Sequence, residues 1–293
     1  MTDLLPFEGA FWTWIEARGM GWNRIELQDA SGGRAAGYRL TPSGSSRRAV
    51  IAFHGAGSDA LFGWVGLFKR LLEVDTEIFT FDLPGHGRFS TTAFAAEDVA
   101  SAVGAALREC SRGRPAVPLH AIGVSLGGSV LLHVLPRIQG LLASATLIVA
   151  PLRVSLSVRT FAREVGGQTL ALLWREREHY GLTGLIPSFG PFRRQVYPLR
   201  WAIPPPPGAF GYVTALNQAL DEMRLEKAAK SVQLPVLLIY GDRDLVVPIE
   251  QGERLIRALP RGELLRVRGG THLSTPLEPV TFDRILRWIG ERS

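Results

Sequence analysis

Short runs of apolar, often β-branched residues alternate with longer amphipathic stretches along most of this chain. Each run has the length of a strand, and its continuous apolar character is typical of strands that are buried on both faces. The amphipathic stretches between the runs have helical spacing, so strand–helix–strand crossovers are expected. The sequence therefore predicts an α/β fold, with a mostly parallel central sheet flanked by helices.

The elements that this pattern predicts fall into two blocks. The predicted strands are Ala49–Phe53, Glu77–Phe81, Leu119–Ile122, Ala145–Val149, Val236–Tyr240 and Leu264–Val267. The predicted helices are Gly63–Leu72, Ala95–Cys110, Leu126–Leu135, Ile249–Leu259 and Phe282–Ile289. Before the first block, Arg24–Leu27 and Ala35–Leu40 flank a turn rich in glycine, which indicates a hairpin.

Residues 152–231 interrupt the alternation, because no run among them predicts a parallel strand. The interruption holds eleven Lys and Arg against six Asp and Glu, together with Trp174, Trp201 and a run of four prolines. Eighty residues are too many for a loop inside a compact domain. We therefore expect a core formed by residues 1–151 and 232–293, with residues 152–231 inserted as a helical cap.

Composition excludes several classes of protein. Cys110 is the single cysteine, so no intrachain disulfide can form, and no apolar run reaches the roughly 18 residues that predict a membrane span. The start of the sequence has no signal-peptide pattern, and we expect a cytoplasmic protein. The net charge is +6, but the basic residues form no blocks and no nucleic-acid motif occurs. We expect no nucleic-acid partner and leave open a transient contact with a lipid surface and the oligomeric state.

The strongest motif lies between the strand Leu119–Ile122 and the helix that begins at Leu126. There the chain reads G-V-S-L-G-G from Gly123 to Gly128, which matches the G-x-S-x-G pattern of a nucleophile elbow. A strand that turns into a helix within one residue forces the central serine into a strained conformation, which glycines on both sides accommodate. The motif therefore predicts Ser125 as a nucleophile exposed at the carboxyl edge of the sheet.

Two further motifs accompany the elbow, and together they resemble the α/β-hydrolase superfamily. H-G-A-G follows the strand that ends at Phe53, and D-L-P-G-H-G begins at Asp82. The form of these motifs is similar to that of the monoacylglycerol lipase and lysophospholipase branch, although Val124 stands where that branch usually has histidine. The resemblance implies that the backbone N–H groups of Ala56 and Leu126 form an oxyanion hole.

A serine nucleophile needs a base, and the base needs an acid to orient it. Of the six histidines, His272 follows the last predicted strand, where the superfamily places its base. The segment G-D-R-D after the strand Val236–Tyr240 resembles the motif that carries the acid, and the alignment selects Asp244. Asp242 competes for that role, although a turn-stabilising role fits it better. The predicted catalytic residues are therefore Ser125, Asp244 and His272.

These residues predict a serine hydrolase that cleaves a small-molecule carboxylic ester through an acyl-enzyme on Ser125, with no metal and no cofactor. The same triad also suits a thioesterase, a lactonase or a hydrolase of C–C bonds. A different class, a ligand receptor on this fold without turnover, is less consistent with an intact triad. Within the cap, Trp174 and Trp201 are the predicted substrate-binding residues, because large aromatic side chains offer much contact area.

Overall fold

The computed structural model describes residues 6–28, 34–56, 58–61, 63–84, 86, 96–111, 117–155, 160 and 209–293. Eight strands form one sheet in the order β1-β2-β4-β3-β5-β6-β7-β8. The strands are β1 (Gly21–Gln28), β2 (Arg34–Thr41), β3 (Arg48–Phe53), β4 (Thr76–Phe81), β5 (Leu119–Val124), β6 (Ser144–Ile148), β7 (Val236–Gly241) and β8 (Gly262–Val267). Strand β2 runs antiparallel to β1 and to β4, whereas every pairing from β4 to β8 is parallel. The predicted mostly parallel sheet is confirmed.

Helices cover both faces of the sheet. The helices are α1 (Pro6–Glu16), α2 (Val65–Leu72), α3 (Ala96–Ser111), α4 (Leu126–Ile138), α5 (Ala209–Met223), α6 (Leu225–Lys230), α7 (Ile249–Ala258) and α8 (Pro279–Gly290). Buried side chains of α3 to α7 form one apolar cluster with the sheet, and those of α1, α2 and α8 form the other. The alternation of side chains along each strand supplies both clusters, as expected for a sheet buried on two faces.

The first helix, α1, was not predicted. Its buried residues Phe11, Trp12 and Ile15 follow helical spacing, and they pack in the same cluster as α2 and α8. The Trp12 ring stacks on Trp22 of β1 at a centroid distance of 4.2 Å. Aromatic side chains therefore attach α1 to the antiparallel end of the sheet. Spacing of apolar residues from Phe7 to Ile15 is the signal in the sequence that could have identified this helix.

The strand β6 ends one residue earlier than predicted. Val149 was expected to be its last residue, but its φ of 43° lies outside the β region. Its N–H donates to the carbonyl of Ile239 at 2.8 Å, so the residue is held against β7 while the chain changes direction. A positive φ is unusual for a β-branched residue, and neither its apolar character nor its propensity gives any sign of it.

Only part of the predicted cap lies within the described residues. Helices α5 and α6 belong to residues 152–231, and they pack on α3 and α4 of the core, with α6 also contacting α7. Their buried side chains join the same apolar cluster as those core helices. The remainder of the insertion, including Trp174 and Trp201, lies outside the described residues, and the cap boundaries stay a prediction. Among the helices that the structure describes, none is long and apolar enough to cross a membrane.

Candidate active site

The turn between β5 and α4 has the backbone geometry of a nucleophile elbow. Ser125 adopts φ 49° and ψ −120°, a conformation that costs a non-glycine residue on the order of 1–3 kcal/mol. Its N–H donates to the carbonyl of Ile148 at 2.8 Å, so the strained residue is anchored to β6. A Cβ at Gly127 would lie 2.2 Å from the carbonyl oxygen of Phe53, and a Cβ at Gly123 would lie 2.5 Å from that of Gly127. Close backbone packing therefore requires glycine on each side of Ser125.

Ser125 faces a histidine and a carboxylate that come from two different loops. The Oγ of Ser125 lies 3.0 Å from Nε2 of His272, and Nδ1 of His272 lies 2.9 Å from Oδ2 of Asp244. The Asp244 side chain is fully buried and that of His272 is 14% exposed, so solvent reaches the histidine at one edge. In this arrangement Nδ1–H donates to the carboxylate, which leaves Nε2 free to accept a proton from the serine. The described residues contain no group of three potential metal ligands.

The loop after β7 fixes the orientation of Asp244. Its Oδ1 accepts hydrogen bonds from the N–H groups of Val246 at 2.9 Å and Val247 at 2.7 Å. Those donors hold one carboxylate oxygen in place, and they leave Oδ2 for His272. Asp242 behaves differently, because its Oδ1 accepts from the N–H of Gly269 at 2.7 Å. Of the two candidate carboxylates, Asp244 contacts the histidine and Asp242 stabilises the turn after β8.

The loops that carry Asp244 and His272 touch each other through glycines. A Cβ on Gly241 would lie 2.2 Å from the carbonyl oxygen of Gly270, and a Cβ on Gly270 would lie 3.1 Å from the Cα of Gly241. The N–H of Arg243 also donates to the carbonyl of Gly270 at 2.9 Å. This direct backbone contact holds the loop after β7 and the loop after β8 at a fixed separation, as the Asp244–His272 hydrogen bond requires.

The loop after β3 lies against the elbow. A Cβ on Gly55 would be 3.3 Å from the Cβ of Ser125, and Ala56 is half-buried at the next position. Leu126 is the first residue of α4, so its N–H has no partner within the helix. Both predicted oxyanion donors, the N–H groups of Ala56 and Leu126, therefore belong to segments that border Ser125. The start of a helix also favours negative charge there.

His54 has a role that the sequence did not predict. Its Nε2 accepts a hydrogen bond from the N–H of Leu83 at 2.9 Å, and its Nδ1 consequently donates to the carbonyl of Gly55 at 2.7 Å. Burial lowers the pKa of His54 to about 4, so the ring is neutral at pH 7. Burial likewise lowers the pKa of His86 to about 3, with the neighbouring His54 adding to the effect. His54 thus connects the loop after β3 to the turn after β4.

Comparison with known proteins gives one family and a broad structural likeness. The model of the alpha/beta hydrolase family matches residues 50–283. Over 68 residues, 23% of this chain, the sequence is 35% identical to a protein of Pseudomonas savastanoi pv. phaseolicola (strain 1448A / Race 6) that carries the assigned name carbamate hydrolase RutD. That alignment covers 26% of the relative, so the chain spans about a quarter of the length of the curated relatives it matches.

Two solved structures illustrate the structural likeness. The enol-lactonase from Burkholderia xenovorans LB400 aligns with a TM-score of 0.65 at 16% identity, over 91% of this chain and 100% of the other. Est1E from Butyrivibrio proteoclasticus, with ferulic acid bound, aligns with a TM-score of 0.65 at 15% identity, over 92% of this chain and 98% of the other. At such identities the likeness is one of fold.

Proposed function

This chain belongs to the alpha/beta hydrolase family, and on that premise we propose that it is a serine hydrolase that cleaves carboxylic esters through an acyl-enzyme on Ser125. The observation that carries the proposal is the continuous contact from Ser125 Oγ to His272 Nε2 at 3.0 Å and from His272 Nδ1 to Asp244 Oδ2 at 2.9 Å. A serine hydroxyl is a weak nucleophile by itself. An adjacent base, oriented by a buried carboxylate, activates it by removing its proton during the attack.

In the proposed mechanism His272 takes the serine proton as the Oγ of Ser125 attacks the ester carbonyl. Negative charge then develops on the carbonyl oxygen, and the N–H groups of Ala56 and Leu126 stabilise it. His272, now protonated and stabilised by Asp244, gives its proton to the leaving alcohol, and the acyl group stays on Ser125. A water molecule that His272 deprotonates attacks the acyl-enzyme, releases the acid and restores the serine.

The class of ester is the next part of the proposal. Among similar proteins, one is named a carbamate hydrolase and another an enol-lactonase, so acyl groups in several bonds are within the range of this fold. Thioester, lactone and C–C bond cleavage therefore remain alternatives that use the same three residues. Measuring kcat/KM for p-nitrophenyl acetate, a matched thioester and a matched lactone ranks them. An ester that is the poorest of the three would contradict the proposed substrate class.

Residues 152–231 are proposed to act as a cap that binds the acyl part of the substrate, with Trp174 and Trp201 in contact with it. An apolar wall contributes about 0.8 kcal/mol for each buried methylene, so kcat/KM should rise about 2–4-fold with each added carbon until the pocket is filled. Trp174→Ala and Trp201→Ala should weaken this dependence and spare the acetate ester. A uniform loss from acetate to palmitate, with a lower Tm, would assign both rings a structural role instead.

The direct test of the proposed activity is turnover of p-nitrophenyl acetate by the wild-type chain and by Ser125→Ala. The variant should fold normally and lose activity by roughly 10⁴-fold or more, because the acyl-enzyme cannot form. Far-UV circular dichroism checks the fold of the variant. Absence of turnover by the wild type with every ester, thioester and lactone, combined with tight ligand binding, would instead favour a receptor without turnover.

A further inference from the structure

Four residues that leave the sheet after β6, Leu152–Ser155, have no strand beside them among the residues that the structure describes. We call them the exit segment. The side chain of Gln251 on α7 supplies partners to the first half. Its Oε1 accepts from the N–H groups of Leu152 at 2.7 Å and Arg153 at 3.0 Å, and its Nε2 donates to the carbonyl of Arg153 at 2.7 Å. One amide side chain of the core thus replaces a strand partner for two residues.

A second amide does the same for the third residue of the exit segment. The Oδ1 of Asn217 accepts from the N–H of Val154 at 2.7 Å, and its Nδ2 donates to the carbonyl of Val154 at 3.0 Å. Asn217 belongs to α5, within the predicted cap, and is half-buried. An amide side chain carries an acceptor and a donor on one carbon, so Asn217 alone can satisfy both backbone groups of Val154. The exit segment is therefore held between the core and the insertion.

The last residue of the exit segment contacts the loop of the proposed catalytic acid. The N–H of Ser155 donates to the carbonyl of Val246 at 3.0 Å. The N–H of that same Val246 donates to Oδ1 of Asp244 at 2.9 Å, and Oδ2 of Asp244 bonds His272. Hydrogen bonds, joined by the backbone from Val154 to Ser155 and by that of Val246, therefore connect Asn217 to the carboxylate that contacts His272.

We propose that Asn217 is a positioning residue that couples the insertion to Asp244 through the exit segment, an inference that rests on the proposed function. Without the amide of Asn217, the N–H and the carbonyl of Val154 both lose a hydrogen bond. Ser155 is the next residue, so its hydrogen bond to the carbonyl of Val246 weakens as well. Val246 then moves more freely, and its N–H is one of the two donors that position Oδ1 of Asp244. A small displacement of a catalytic group lowers kcat without changing how a small substrate binds.

A double-mutant cycle on kcat tests this coupling. Asn217→Ala should lower kcat for p-nitrophenyl acetate by about tenfold and leave KM within twofold. Asp244→Asn should lower kcat by roughly 10³–10⁴-fold, and the double variant should be no slower than Asp244→Asn alone. Residues that act through one another give such non-additive losses, whereas independent residues give losses that multiply. Titration with a fluorophosphonate counts the active sites of the wild type and of Asn217→Ala, and far-UV circular dichroism gives the folded fraction of the two variants that carry Asp244→Asn.

Matched controls separate coupling from stability. Gln218 is the next residue on α5 and is exposed, and its amide donates to Glu222 on the same helix at 3.4 Å. Gln218→Ala should leave kcat unchanged. If Asn217→Ala folds poorly, Asn217→Asp replaces it in the cycle, because it keeps the acceptor for the Val154 N–H and should show a smaller loss.

The possible results distinguish the inference from the function on which it rests. A lower Tm with an unchanged kcat for each titrated site would overturn the coupling, and so would losses that multiply. An effect confined to KM would also overturn it, since it would indicate contact with substrate. Near-normal activity of Asp244→Asn would instead contradict the proposed triad, whatever the result at Asn217.

Discussion

Substitution of Gly127 by alanine tests the packing that holds the elbow against the loop after β3. The new Cβ would lie 2.2 Å from the carbonyl oxygen of Phe53 and 2.5 Å from that of His54. Contacts of this kind are comfortable only beyond roughly 3.4 Å, so the two backbones must separate by about 1 Å. The separation moves the Ala56 N–H away from Ser125, and a misplacement of about 1 Å can cost roughly 100-fold in kcat.

The same substitution has opposing effects on stability. Alanine favours the helix α4 over glycine by about 1 kcal/mol, but overpacking against backbone costs about 1–3 kcal/mol. The new Cβ meets main-chain carbonyl oxygens, which cannot rotate away as a side chain can. We therefore expect the free energy of unfolding to fall by about 1–2 kcal/mol. Thermal denaturation and kcat for p-nitrophenyl acetate measure the two effects.

Gly140→Ala is the matched control, because a Cβ there meets nothing within 4 Å. It should leave both kcat and Tm near their wild-type values. If Gly127→Ala retained kcat within twofold and an unchanged Tm, the close contact between the elbow and the loop after β3 would not exist in solution.

Three further predictions concern titrating side chains. Asp244→Asn should lower kcat by about 10³–10⁴-fold in steady-state kinetics, because the amide favours the wrong tautomer of His272. Asp242→Asn should lower kcat far less, because the new amide oxygen can still accept the Gly269 N–H. Activity should rise with pH as His272 loses its proton, because only the neutral ring can accept the serine proton, and the pH–rate profile of His272→Ala should lack this rise. Burial, with Arg48 and Arg292 nearby, lowers the pKa of His120 from 6.5 to about 4. Between these two pH values the histidine is protonated in the unfolded chain and neutral in the folded protein. The free energy of unfolding should therefore fall as the pH drops from about 6.5 to about 4. Urea unfolding measures this free energy at pH 7 and pH 5, and His120→Gln should make the difference between the two values smaller by roughly 2 kcal/mol.

Local patterns in the sequence were sufficient for the elbow and for the positions of the parallel strands along the chain. The glycines around Ser125 are required because a strand turns into a helix at that residue, so a few neighbouring residues suffice to identify the elbow. The position of Asp244 could be predicted for a related reason, because it directly follows a recognisable strand. In each case a short segment determines the conformation.

Other features depend on contacts between distant segments, and the sequence did not reveal them. The tautomer of His54 depends on the N–H of Leu83, 29 residues away along the chain. The role of Asn217 depends on the exit segment, which lies 63 residues earlier. The helix α1 is stabilised by aromatic packing on β1 and β2, and no pattern within α1 specifies those partners. Tertiary partners of this kind have no local signature.

Covalent labelling with a fluorophosphonate, followed by peptide mapping, shows directly whether Ser125 is the nucleophile. Such a probe reacts with a serine whose hydroxyl is activated by an adjacent base. We expect one label per chain, on Ser125, together with loss of labelling in Ser125→Ala and strong reduction in His272→Ala. Labelling of another serine, or undiminished labelling in Ser125→Ala, would contradict the assignment of Ser125 as the nucleophile.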